Sequence, residues 1–237
     1  MNLSFKNFSI RIIGYLPYII FFYVIYTIEI FRELLLYNGL LQLMLFLIVA
    51  CIPAYLTKRM SYVDIAWPWG LVLIGVLALL LGDGYKPRIF LISGMYLFSG
   101  LRMGIGALIL FKKGHLDSEL SRYTYQRRRW EKAGYKNLDI SLQYEIMIQC
   151  FANITFLALP AILMAQNTAT SLSVIEIIGA SLWAIWFVLE HVSDMQKQQF
   201  LKKSFLEKKK KQVCNAGFWK YSRHPNYFAE WMVWNSM

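Results

Sequence analysis

Residues 62–82 read YVDIAWPWGLVLIGVLALLLG, and Asp64 is the only charged residue in this run. A helix that crosses a bilayer needs about 20 consecutive, mostly apolar residues. The length and composition of the run therefore predict a transmembrane helix that starts beside Asp64.

The rest of the chain has the same character. Of its 237 residues, 57% are hydrophobic and 16% are charged, whereas soluble domains have about 45–50% and about 25%. This composition predicts an all-α, polytopic transmembrane helix bundle with six full spans and a shorter seventh apolar segment. The other spans are expected at 12–31, 35–56, 88–111, 146–166 and 172–192, and the seventh segment begins near Asn226.

The formal charge of +11 is explained by membrane topology. The basic residues concentrate near the N-terminus, around residue 58 and in the 112–145 and 193–225 loops, all of which lie on one side if the spans alternate. The opposite loops carry only Arg32, Lys86 and Arg88. The positive-inside rule then places the N-terminus and both long loops in the cytosol. Nucleic acid is not an expected partner, because the charges lie between apolar runs rather than on a soluble face.

Two other features receive a structural interpretation. The run Lys208–Lys211 is typical of a strip that faces anionic lipid headgroups. The cysteines Cys51, Cys150 and Cys214 do not have the spacing of a metal site, so no metal is expected.

Several ionisable residues lie in or beside the predicted spans. They are Asp64, Arg102 and Glu190, and such groups are costly in hydrocarbon unless they face a partner or a cavity. Two interpretations stay open: ion pairs that hold helices together, or a polar cavity that opens to the cytosol and holds a charged ligand. Tyr62 and Trp67 fit a ligand site and an interfacial aromatic belt equally well.

The stretch from Arg122 to Trp130 is amphipathic if it is helical. The spacing places Arg122, Gln126 and Arg129 on one face. Such a face suits either the phosphates of a ligand or anionic lipid headgroups.

The most specific string is KYSRHPNYFAEW at residues 220–231. Pro225 suits the first turn of a helix, so the string predicts a polar loop that leads into a helix N-terminus. Arg223, His224 and Asn226 would surround that N-terminus with hydrogen-bond donors, and a helix N-terminus favours an anionic ligand.

These strings resemble the uncharacterised membrane proteins that carry a steroid 5-alpha-reductase-type C-terminal domain. The resemblance covers about residue 60 to the end, which suggests N-terminal helices at 1–60 and the reductase-like domain at 61–237. It is carried by Tyr62–Trp67, Arg122-Tyr123, Arg127–Trp130, Asp194–Lys197 with Phe200, and Arg223–Phe228.

The resemblance implies a cofactor at the cytosolic side and a lipid-like substrate. In steroid and sterol reductases the cofactor is NADPH, which reduces a carbon–carbon double bond. The similar isoprenylcysteine carboxyl methyltransferases share an Arg-His-Pro-x-Tyr string and bind S-adenosylmethionine. The expected catalytic residues are Tyr62, Asp64 and Glu190, and Trp67 and Arg102 are expected to contact substrate. The expected cofactor-binding residues are Arg122, Arg127, Asp194, Lys197, Tyr221, Arg223, His224, Asn226, Tyr227 and Glu230.

Two departures accompany the resemblance. Ala229 stands where this family commonly has glycine, and the chain ends at Met237, where relatives usually continue, so a truncated domain is expected. Three hypotheses remain open: an NADPH-dependent reductase, a methyltransferase and a non-catalytic membrane protein. The membrane itself is either the cell membrane or the endoplasmic reticulum.

Overall fold

The computed structural model describes residues 3–135, 137–207 and 212–237, with side chains from residue 9 onward. The predicted headgroup strip Lys208–Lys211 lies outside the described residues. Every regular element in the described part of the chain is helical, which confirms the all-α prediction. The α-helices are α1 (Leu3–Tyr26), α2 (Glu29–Phe46), α3 (Ile52–Thr57), α4 (Val63–Leu81), α5 (Lys86–Lys112), α6 (Ser121–Lys132), α7 (Leu138–Ile154), α8 (Leu159–Ala165), α9 (Val174–Leu206) and α10 (Pro225–Asn235).

Two short irregular helices join these elements. A π-helical segment, Leu47–Cys51, connects α2 to α3 and is followed by Pro53 in the first turn of α3. Proline has no backbone N–H to continue the α-helical ladder, which explains a local change of helix type there. A 3-10 turn, Gly217–Lys220, precedes α10.

Six helical stretches in the described residues are long and apolar enough to cross a membrane, as predicted. They are Ser9–Tyr26, Glu29–Thr57, Val63–Leu81, Lys86–Lys112, Leu138–Ala165 and Val174–Leu206. Large apolar side chains are exposed on them, with Leu80 71% and Ile175 81% accessible. Such exposure suits contact with lipid rather than water, so the protein is an integral, multi-pass membrane protein.

The boundaries of several predicted spans were wrong. The first was expected to reach residue 31, but α1 ends at Tyr26 and α2 begins at Glu29. The intervening Thr27 hydroxyl bonds to the Val24 carbonyl at 2.7 Å, a local bond that competes with the helical ladder. The fifth stretch begins at Leu138 rather than 146, and α9 continues to Leu206 rather than ending at 192.

The chain divides into two compact units. The N-terminal unit extends to Thr170 and the C-terminal unit begins at Ser171. In the N-terminal unit, α4 packs along α5 and also contacts α2 and α7. In the C-terminal unit, α10 packs against α9.

A hydrophobic core joins α2, α3, α4 and α7 in the N-terminal unit. Its members are at most 8% exposed, and Tyr123 and Trp130 of α6 pack against it. This contact holds α6 against the ends of the membrane helices. The core residues are Phe46, Ala50, Cys51, Ala54, Met60, Val63, Ala66, Leu142, Ile146, Cys150 and Ile154.

At the other end of the N-terminal unit, Arg88 fastens two loops together. It is 1% exposed, and its Nη1 donates to the carbonyls of Asn167 at 3.0 Å and Ala169 at 2.8 Å. The Gly84 N–H also bonds to the Ala165 carbonyl at 2.9 Å. We call these contacts the outer clasp, because the loops lie on the side predicted to be outside.

Candidate functional site

Asp64 lies in the first turn of α4 and is bound by two residues of α6. Its carboxylate accepts hydrogen bonds from the Arg122 guanidinium and the Tyr123 hydroxyl. Burial raises the pKa of Tyr123, and the nearby Asp64 charge raises it further. Tyr123 therefore stays protonated and acts as a donor at neutral pH.

A second carboxylate, Glu119, fixes the loop before α6 to the start of α4. It accepts from the Met60 N–H at 2.7 Å and from the Ser61 hydroxyl at 2.6 Å. Arg127 lies 3.5 Å from the same carboxylate and also donates to the Lys58 carbonyl. Together with Asp64, Arg122 and Tyr123, these residues form what we call the Asp64 cluster.

The Asp64 cluster changes the interpretation of two predicted cofactor residues. Arg122 and Arg127 each pair with a carboxylate of the chain itself. Their charges are thereby largely compensated, so a bound phosphate would have to compete with Asp64 or Glu119. Glu119 is absent from the sequence-based candidates because a carboxylate in a basic loop, with Asp117 two residues before it, has no distinguishing pattern.

The aromatic candidates of the N-terminal unit lie nearby. Tyr62 immediately precedes α4 and lines an apolar cavity of about 670 Å³, together with Trp69 and Phe111. Trp67 is half-buried and packs against the hydrophobic core. Arg102 is partly buried in the middle of α5.

A buried amide network inside the membrane region was not predicted. It consists of Asn38, Gln42 and Asn153, each 0% exposed. Gln42 donates to Asn38 Oδ1 at 3.2 Å and to the Gly70 carbonyl at 2.8 Å. Asn153 donates to Gln42 Oε1 at 3.4 Å and to the Trp67 carbonyl at 3.2 Å. Asn38 donates to the carbonyls of Asn153 and Ile154, so the network ties α2, α4 and α7 together.

In the C-terminal unit, the 3-10 turn is bonded to α9. The Phe218 N–H donates to Gln196 Oε1 at 2.9 Å, and the Trp219 indole N–H donates to the Ser193 carbonyl at 2.9 Å. The Lys197 ammonium lies 4.8 Å from the centre of the Trp219 ring. These contacts fix the approach to α10.

The turn needs a glycine at its first position. Gly217 has a φ of +56°, and a Cβ there would lie 2.3 Å from the Gln196 amide. Glycine alone adopts this left-handed conformation without a steric penalty. The side chain of Gln196 can therefore approach closely enough to accept from Phe218.

The start of α10 matches the sequence prediction. Pro225 occupies the first helical position, and the Asn226 amide donates to Asp194 Oδ1 at 3.0 Å. The structure thus brings together two of the predicted cofactor residues. We call the contacts among Ser193, Asp194, Gln196, Phe218, Trp219 and Asn226 the Asp194 cluster.

Several predicted residues remain accessible around this helix start. Tyr221 is 88% exposed, and Arg223 and His224 are also exposed. The His224 and Tyr227 rings stack, with centroids 5.4 Å apart. Since the first turn of a helix has N–H groups without intrahelical partners, this end of α10 presents donors, a cation and an aromatic face.

The remaining candidates of the C-terminal unit are less accessible. Glu190 is 6% exposed on α9, and Glu230 is partly buried on α10. Asn226 Oδ1 is buried and has no hydrogen-bond partner among the described residues. A buried carbonyl oxygen of this kind is costly unless a donor reaches it.

The comparisons with known proteins give one match. No curated protein and no solved structure matches the chain. The family model described as "Protein of unknown function (DUF1295)" matches residues 45–237, which extend from the end of α2 through α10. The chain therefore belongs to the DUF1295 family.

Proposed function

We propose that this protein is a membrane-embedded oxidoreductase that uses NADPH to reduce a carbon–carbon double bond of a lipid-like, steroid or enone substrate. The observation that carries the proposal is the start of α10. There, the Asp194 cluster fixes the backbone while Arg223, His224 and Tyr227 stay accessible. The resemblance of residues 220–231 to steroid 5-alpha-reductase-type domains points to the same place.

The residues at this helix start fit a phosphate-bearing dinucleotide. Arg223 is exposed and makes no ion pair with another described residue, so it supplies a positive charge, and the helix N-terminus favours an anion. The stacked His224 and Tyr227 rings offer a flat surface for a base or a ribose. Asn226 Oδ1, which lacks a donor among the described residues, suits a hydroxyl or amide N–H.

The N-terminal unit supplies features that suit a lipid-like substrate. Its cavity of about 670 Å³ is lined almost entirely by apolar side chains, and ligand pockets usually have about 300–1,000 Å³. Tyr62 lines this cavity and is our candidate to polarise a substrate carbonyl. Asp64 is held by Arg122 and Tyr123, so we assign it the role of holding α6 at the start of α4 beside this cavity.

The reaction class follows from the separate roles of the cofactor and the protein in such enzymes. When bound, the nicotinamide supplies the hydride. The chain positions the reactants and supplies a proton donor, for which Tyr62 and the buried Glu190 are the candidates. A general acid works only within hydrogen-bond reach of the substrate, so substitution of either residue should lower turnover rather than cofactor affinity.

One observation favours the alternative, a methyltransferase of the isoprenylcysteine type. Arg122 and Arg127 pair with Asp64 and Glu119, which leaves fewer free cations for the phosphates of NADPH. S-adenosylmethionine carries no phosphate and needs none of them. The same helix start would then hold its carboxylate.

Thermal unfolding of the purified chain separates the two activities. NADPH and S-adenosylmethionine are titrated separately, because a ligand that binds only the folded state raises the midpoint with concentration. We expect a saturable rise with NADPH that is lost in Arg223→Gln and in Asn226→Ala. Arg128→Gln removes an equal charge from α6 and should retain the rise.

The outcomes have distinct meanings. A rise with S-adenosylmethionine alone would replace the reductase by the methyltransferase. An NADPH response that is unchanged in Arg223→Gln and Asn226→Ala would remove the start of α10 from the site. Retention of the response in Arg223→Lys would show that the charge, rather than the guanidinium shape, is required.

A further inference from the structure

Helix α6 has two chemically different faces. Tyr123, Arg127 and Trp130 point into the protein, where they contact Asp64, Glu119 and the hydrophobic core. The opposite face carries Tyr125, Arg128, Arg129 and Lys132, all of which are exposed. Their i, i+3, i+4, i+7 spacing makes them one continuous stripe, which we call the α6 stripe.

The α6 stripe differs from the face predicted from the sequence. That face grouped Arg122 with Gln126 and Arg129, but Arg122 pairs with Asp64. Arg128 and Lys132 make no ion pair with any described residue. Arg129 contacts Gln126 at 3.5 Å and also interacts electrostatically with Glu145 of α7.

The chain holds this stripe at the membrane surface. Helix α5 leaves its membrane-spanning stretch at Lys112, and α7 enters the next one at Leu138. Both connections to α6 are short, and α6 itself is docked on α4 by the Asp64 cluster. An exposed aromatic residue, Tyr125 at 66% accessibility, lies among the cations, as is common where a protein meets lipid headgroups.

We infer that the α6 stripe binds the headgroups of anionic phospholipids. Among its three cations, Arg128 and Lys132 make no ion pair with a described residue. Arg129 is partly compensated by Glu145 of α7, and Glu131 is the one acidic residue of α6. Phospholipid phosphates at the cytosolic surface are complementary in charge, and guanidinium groups bind phosphate oxygens in a bidentate manner. The Asp64 cluster presents the stripe to them by holding the inner face of α6.

The test compares lipid binding to the full chain purified in neutral detergent. Phosphatidylglycerol and phosphatidylcholine are titrated separately, and bound lipids are counted by native mass spectrometry alongside the thermal midpoint. The test variant is the triple substitution Arg128→Gln, Arg129→Gln, Lys132→Gln. Each juxtamembrane cation strengthens attraction to anionic lipid several-fold, so we expect a loss of phosphatidylglycerol affinity of about 10- to 100-fold.

A matched variant controls for net charge. Lys202→Gln, Lys203→Gln, Lys220→Gln removes three exposed lysines from the C-terminal unit and should keep the wild-type preference for phosphatidylglycerol. Lys203 lies 3.9 Å from Glu207, so the two triple variants match in the number of cations removed rather than in their pairing. Equal losses in the two triple variants would overturn the inference, because net charge alone would then explain the binding. Unchanged phosphatidylglycerol affinity in the α6 variant would overturn it as well.

Two further measurements keep the inference testable if the triple variant does not fold. Arg128→Lys with Arg129→Lys preserves the charge and should bind phosphatidylglycerol within a few-fold of wild type, and loss of binding would contradict a headgroup site of this kind. On the wild-type chain, inorganic phosphate should compete weakly. Full competition at millimolar phosphate would assign the stripe to a free anion instead of a lipid.

Discussion

The buried amide network makes Gly70 a sensitive position in the membrane region. A Cβ at this position would lie 2.2 Å from Asn153 Nδ2 and 2.6 Å from Gln42 Oε1. Both atoms belong to side chains that are 0% exposed. Gly70→Ala should therefore push the Gln42 and Asn153 amides apart. This would break the hydrogen bond between the two amides and the bonds that they donate to the carbonyls of Gly70 and Trp67.

The size of the effect follows from these contacts. Three hydrogen bonds would be lost or stretched, and interhelical hydrogen bonds in membranes average about 0.6 kcal/mol each. Overpacking adds about 1–3 kcal/mol, while replacing glycine by alanine in a helix returns about 1 kcal/mol. We expect a net destabilisation of about 2–4 kcal/mol, which corresponds to a fall in Tm of about 5–15 °C at about 2–4 °C per kcal/mol.

The assay is thermal unfolding in detergent, with Gly94→Ala as the matched control. A Cβ at Gly94 meets no atom within 4 Å, so that variant should match or exceed the wild-type Tm. The double variant Gly70→Ala, Asn153→Ala removes the nearer of the two clashing amides, and its cost should be smaller than the sum of the two single costs. A Gly70→Ala protein as stable as Gly94→Ala, or strictly additive costs, would refute the reasoning.

Three other perturbations test separate parts of the structure. Gly217→Ala forces an alanine into a left-handed conformation, at a cost of about 1–2 kcal/mol, and displaces the Gln196 side chain. Limited proteolysis of the turn before α10 should therefore become faster. An unchanged cleavage rate would contradict the close contact between Gly217 and Gln196. Arg88→Met removes the guanidinium donor from the carbonyls of Asn167 and Ala169, of which Asn167 keeps the Tyr85 N–H at 3.0 Å, so we expect a loss of about 1–3 kcal/mol in thermal unfolding, partly restored in Arg88→Lys. Burial and the Asp64 charge raise the pKa of Tyr123 above its usual value, so this residue stabilises the fold below about pH 10 and the contribution declines as the pH rises further. That decline should be smaller in Tyr123→Phe when Tm is followed from pH 8 to 11, and identical profiles would disprove the linkage.

Much of the fold was predictable from the sequence because a spanning helix leaves a local signal. The run at 62–82 predicted α4 almost to the residue, and Pro225 predicted the start of α10. The break at Thr27 was missed because apolar residues resume at Ile28, Ile30 and Phe31 on either side of the charged Glu29. The extension of α9 to Leu206 was also missed, because a helix that leaves the membrane becomes polar without ending.

The candidate site was predictable only where charge or a motif marked it. Asp64 was conspicuous as a carboxylate in an apolar run, but its pairing with Arg122 depends on how α6 docks on α4. Asn38 and Asn153 carry no charge and belong to different spans, so nothing local connects them. The contacts of Glu119 could not be predicted for the same reason, because the Met60 and Ser61 groups that it binds come from another part of the chain.

The amide network also has a consequence for how the protein is made. Asn38 and its partner Asn153 are separated by 115 positions in the chain, and synthesis proceeds at about 5–20 residues per second. During the intervening interval of roughly 6–23 seconds, Asn38 and Gln42 lack their α7 partners. Polar side chains in this state favour a protein-lined or hydrated environment over lipid. The amides of α2 therefore gain their full set of hydrogen bonds only after the α7 segment that contains Asn153 has been synthesised.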